Sequence, residues 1–130
     1  MKSYLLRSVV ISIILVFVLN ALGIYSFWYS SISWYDMLVH FLGGVFVGFL
    51  LLYIFPQLRT LPTKRTVHLI ILGVVIIGVG WELFEYAVWM LTHDTPNAFS
   101  DAISDVICDT FGGALAVSLF LMRRRKFPTV

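Results

Sequence analysis

Four long apolar runs constrain this chain more than anything else in it: Tyr4–Leu22, Met37–Phe55, Val67–Leu91 and Ala102–Met122. A helix needs about 20 apolar residues to cross the ~30 Å hydrocarbon core. In lipid, only helices and closed barrels satisfy every backbone group. Alternation at period two is missing along the chain, which removes the barrel. The expected fold is therefore all-α, a polytopic membrane protein with a compact bundle of four transmembrane helices in one membrane domain over residues 1–130. Charged residues make up only 12% of the chain, against about 25% in soluble domains. That excludes a soluble globule, a disordered chain and a nucleic-acid module. One cysteine, Cys108, leaves no disulfide framework and no cysteine zinc finger.

Lys and Arg set the orientation. Lys2 and Arg7 open the first span, Arg59, Lys64 and Arg65 join the second to the third, and Arg123, Arg124, Arg125 and Lys126 follow the fourth. The other two connections, 23–36 and 92–101, carry none. Both termini are therefore expected in the cytoplasm. The basic start, the apolar run and small Ala21 and Gly23 also fit a signal peptide. Cleavage would leave an odd number of spans, so the first span is expected to stay.

All seven acids then fall in the outer half of the membrane or beyond it: Asp36, Glu82, Glu85, Asp94, Asp101, Asp105 and Asp109. At about 1.5 Å rise per residue, His40, Glu82 and Asp109 lie roughly 6–10 Å below the outer edge. Asp36, Glu85 and Asp105 form a layer within about 5 Å of that edge, with His93, Asp94 and Asp101 at the rim. Asp36 and His40 are spaced i,i+4, Glu82 and Glu85 i,i+3, and Asp101, Asp105 and Asp109 i,i+4,i+8, so each set shares one helix face. The same faces continue inward as Gly44, Gly48, Gly78 and Gly113, small residues that let membrane helices approach closely. No Lys or Arg lies on that side to answer the acids. Buried carboxylates together need protons, cations or both.

Plainer readings compete at several positions. Asp36 and Asp101 suit helix N-caps. Gly44 and Gly48 form a GxxxG pair that serves packing within the chain or a homodimer. Trp28, Tyr29, Trp34 and Tyr35 read as an outer interfacial belt, and the Arg123–Lys126 cluster as a topology signal.

The segments Asp36-Met-Leu-Val-His40-Phe-Leu-Gly-Gly44, Trp81-Glu82-Leu-Phe-Glu85-Tyr86, Asp94-Thr95 and Ser100-Asp101-Ala-Ile-Ser-Asp105-Val-Ile-Cys-Asp109-Thr-Phe-Gly112-Gly113 carry a family likeness. The chain resembles the YjdF-like bacterial membrane family, which brings no established activity with it. More loosely it is similar to VanZ-like proteins, linked with glycopeptide resistance. It departs from the latter in having Glu85 where Gln is commoner and Asp109 where Asn is commoner. The resemblance spans about residues 36–118 and implies a polar site in a bacterial-type inner membrane.

Three functions fit these residues. The first is a divalent-metal site, with His40, Glu82 and Asp109 as deep ligands and Asp36 and Asp101 as outer ones. Glu85 and Asp105 would ligate a second ion or serve as general base. Oxygen-rich ligation favours Mg²⁺ or Mn²⁺, and Zn²⁺ if His93 joins. A pocket near the outer head groups suits membrane lipid or a lipid-linked phosphate as substrate. The second is a proton-coupled transporter of small cations, with Trp81, Tyr86 and Trp89 beside the acids. Against it, alternating access wants a site at the midplane. The third is a non-catalytic envelope or assembly protein whose protonated acids form a polar lock.

Overall fold

The computed structural model describes residues 1–92 and 99–126, with the side chains of Trp89, Phe99 and Ser100 set aside. The expectations placed on His93 and Asp94 lie outside the described residues. Helix α1 spans Lys2–Tyr25, the single turn α2 Trp28–Ser31, α3 Tyr35–Ile54, α4 Thr63–Thr92 and α5 Phe99–Lys126. The four long helices are each long and apolar enough to cross a membrane, and no strand occurs among the described residues. They alternate in direction, so the acids gather at one end of the bundle and the cations at the other.

Helix α3 is the hub. It packs most extensively on α5, and also touches α1, α2 and α4, while α1 reaches the bundle through α3. Glycines set the close approach of α3 to α5. A methyl on Gly44 would strike the backbone of Asp109, and one on Gly112 the carbonyl of Phe41. One turn further, Gly48 faces the Ala116 methyl and the Gly113 backbone. Both residues of the GxxxG pair are thus buried against α5 within the chain. Helix α4 leans on the same seam, with Gly78 over the Asp109 carboxylate and Gly113 under Val74. Below the seam lies the apolar core: Leu5, Val9, Val45, Phe49, Leu52, Ile70, Val74, Val117 and Phe120. Large side chains such as Ile11, Phe17, Ile76 and Leu83 point outward, as a lipid-facing surface requires.

The basic end is tied by two arginines. Pro56 stops α3, leaving its last carbonyls without helical partners. The Arg59 guanidinium folds back and donates to Leu52 O and Tyr53 O, each at 2.8 Å. Arg124 at the end of α5 donates to Arg59 O and Leu61 O, both at 3.0 Å, and to Thr63 Oγ1 at 2.9 Å. Arg123 lies 4.3 Å over the Tyr4 ring, joining α5 to α1. The C-terminal basic cluster is therefore partly a structural clasp.

At the other end, the expected aromatic belt divides. Trp34 is exposed, but Tyr35 is buried, stacks edge-on against Trp28 and Tyr29, and donates its hydroxyl to Leu19 O at 2.7 Å. Gly23 makes room for it, because a methyl there would collide with the Tyr35 ring. The turn that brings these rings together passes through Phe27 at φ 57°, a left-handed conformation unusual for a side chain of that size.

Candidate functional site

His40 stands at the centre of the polar end. Three helices contribute carboxylates around its ring. Nε2 is 3.8 Å from Asp36 Oδ1 one turn earlier on α3. Nδ1 is 3.8 Å from Glu82 Oε1 on α4 and 3.5 Å from Asp109 Oδ2 on α5. The imidazole is 7% exposed and Asp105 only 1%. Neither Asp36 nor Asp101 is an N-cap. Trp34 holds that place on α3, and both acids sit inside the first turn of their helices.

Two groups have ligand atoms mutually within 4.8 Å: Asp36, His40 and Asp105 on one side, and His40, Glu82 and Glu85 on the other. His40 belongs to both. This division differs from the layering by depth, which put His40, Glu82 and Asp109 together. Asp109 approaches the ring, yet its carboxylate is also packed against glycines, with Oδ1 facing Gly43 and Oδ2 facing Gly78. Asp101 belongs to neither group among the described residues.

Among the described residues, two buried carboxylate oxygens lack a hydrogen-bond donor, Asp105 Oδ1 and Glu82 Oε1. Each falls in a different group. A buried acceptor without a donor costs about 1–3 kcal/mol, and more if charged, so each oxygen calls for a proton or a cation beside it. The arginines lie at the other end, where Arg59 and Arg124 are committed to the carbonyls of Leu52, Tyr53, Arg59 and Leu61. Carboxylates with one imidazole are a donor set for hard or borderline divalent ions.

Several contributors were not singled out from the sequence. Gly112 and Gly43 belong to the seam that seats Asp109, and Tyr35, read from the sequence only as part of the interfacial belt, joins α3 to α1 through Leu19 O. The Gly-Gly pairs at 43–44 and 112–113 were the visible signal: Gly112 meets α3 and Gly113 meets α4, while Gly43 and Gly44 both face Asp109 of α5. No curated protein and no solved structure matches the chain. A family match does extend along nearly all of it, over residues 2–126, and the chain belongs to that membrane family of unknown function, described as Predicted membrane protein (DUF2238).

Proposed function

We propose that this integral membrane protein holds a divalent metal in its acid–histidine pocket and uses it on a phosphate carried by a lipid or lipid-linked head group. The observation that carries the reading is the pair of orphaned, buried carboxylate oxygens, Asp105 Oδ1 and Glu82 Oε1, grouped about one buried imidazole. The ligands would come from the two groups about His40, Asp36 with Asp105 and Glu82 with Glu85, while Asp109 stands beside the ring, 3.5 Å from Nδ1. The metal would polarise a phosphoryl oxygen and lower the pKa of a bound water. A carboxylate left free of the ion would take that water's proton. Charge placement supports both termini in the cytoplasm of a bacterial-type inner membrane and the pocket toward the outer leaflet.

The test is metal content and stability of detergent-purified protein. Elemental analysis should find a bound divalent ion, and EDTA should lower the unfolding midpoint. Ligand at 100 times its Kd stabilises by about 2.7 kcal/mol. A midpoint indifferent to EDTA and to added metal would replace this reading with the protonated polar lock. The activity is tested by hydrolysis of a lipid-linked pyrophosphate. Glu82→Gln should abolish turnover while leaving the protein folded, and undiminished turnover in that variant would refute the assignment.

A further inference from the structure

We infer that the pocket takes two divalent ions, one on each side of the His40 ring, with the imidazole as the bridge between them. This rests on the metal reading above and goes beyond it in number, position and metal type. Three observations carry it. The two groups within ligating distance share only His40. The ring's two nitrogens face different carboxylates, Nε2 toward Asp36 and Nδ1 toward Glu82 and Asp109. Each group also contains its own orphaned oxygen, Asp105 Oδ1 in one and Glu82 Oε1 in the other. A single ion on either side would leave the opposite oxygen buried and unmet, so one ion completes only half of the arrangement.

The chemistry of a bridge narrows the metal. A neutral imidazole has one nitrogen lone pair, and the other nitrogen carries a proton. Ligating two ions takes both lone pairs, so the ring enters as imidazolate and its proton leaves to solvent as the second ion binds. Imidazole nitrogen suits Zn²⁺ better than Mg²⁺, which prefers oxygen and keeps its waters. The inference therefore moves the metal from Mg²⁺ or Mn²⁺ to Zn²⁺. It also gives the proposed substrate a place. The open position on each ion would take a phosphoryl oxygen, whereas five carboxylates and one ion would repel it.

The experiment is stoichiometry with Zn²⁺ alone, by titration calorimetry of metal-stripped protein and elemental analysis after desalting. Wild type should bind two ions per chain. Asp36→Asn and Glu85→Gln, each removing a ligand from one side, should each bind one. Their unfolding midpoints confirm that they are folded, and Glu82→Gln replaces Glu85→Gln if the latter is not. One ion in wild type overturns the bridge and leaves the metal reading standing. No ion overturns both. Two ions retained in both single-side variants would refute this division of ligands.

Discussion

Replacing Gly44 with alanine adds a single methyl group at the tightest point of the bundle. An ideal Cβ there lies 2.6 Å from the Asp109 carbonyl carbon and 2.7 Å from its Cα, and collides with the carbonyl oxygen. Carbon atoms pack comfortably at about 3.5–4.0 Å, so the shortfall is about 1 Å. Every obstructing atom is backbone, and no rotamer change relieves it. Helix α5 must move away bodily, which also opens the contacts of Gly48 with Ala116 and of Gly112 with Phe41. Overpacking a tight core costs about 1–3 kcal/mol, and the rigid obstruction puts Gly44→Ala at the upper end. Thermal unfolding in detergent should show a midpoint lower by on the order of 10 °C. Gly48→Ala should cost less, because its main obstacle is one side-chain carbon at 2.8 Å. Gly80→Ala meets nothing within 4 Å and should hold or gain stability, since alanine favours a helix over glycine by up to about 1 kcal/mol. If Gly44→Ala melts with wild type, or Gly80→Ala falls further than Gly44→Ala, the seam does not hold the bundle as described.

In a Cys108→Ser background, a cysteine at Ser30 should react with an impermeant thiol reagent from outside, and one at Thr63 only from inside. Outside labelling of Thr63 would invert the topology. Arg124→Ala should destabilise the protein by about 2 kcal/mol by leaving the Arg59 and Leu61 carbonyls without their charged donor. Arg124→Lys should rescue little, since an ammonium cannot span three acceptors set for a planar fork; full rescue would show that charge alone matters. The Tyr29 phenol, which donates to Asn20 Oδ1 at 2.6 Å, is pushed up from 10.0 to about 12, first by burial and then by the charge of Asp36. Its contribution to stability is thus complete below pH 10.0 and lost as pH rises through about 12. Alkaline unfolding followed with tyrosinate absorbance should be blunted in Tyr29→Phe, and an unchanged alkaline loss would contradict the assignment.

The spans were legible because hydropathy and length answer to the bilayer directly. The meeting of His40 with Glu82 and with Asp109 was legible too, since acids spaced by three and four residues share a face and similar depth. Periodicity fixes a residue's angle on its own helix. It does not fix how far a neighbouring helix is turned, or which of two stacked acids it presents. That is why Asp105, one turn above Asp109, joins Asp36 and His40 while Asp109 is seated among glycines. Tyr35 escaped for a similar reason. An aromatic residue at a membrane boundary reads as interfacial until Gly23, twelve residues earlier in the chain, is seen to leave a hollow for its ring. Arg124 looked like one cation among four because the carbonyls it caps become acceptors only once Pro56 has ended α3.

The seam between α3 and α5 joins helices that are not consecutive in the chain, and synthesis delivers them in order. Helix α3 enters the membrane with its glycine face bare and His40 accompanied only by Asp36, α4 then brings Glu82 and Glu85, and α5 comes last. That last helix is the least apolar of the four, and an aspartate at mid-helix opposes insertion by about 2.5–3.5 kcal/mol, less toward the ends. Asp105 and Asp109 therefore find their partners only by docking on helices already in place. For α5, entering the bilayer and folding become one event during biogenesis. A bulky residue at Gly44 or Gly112 would then act before any finished protein exists, leaving the last segment outside the membrane for quality-control proteases to remove.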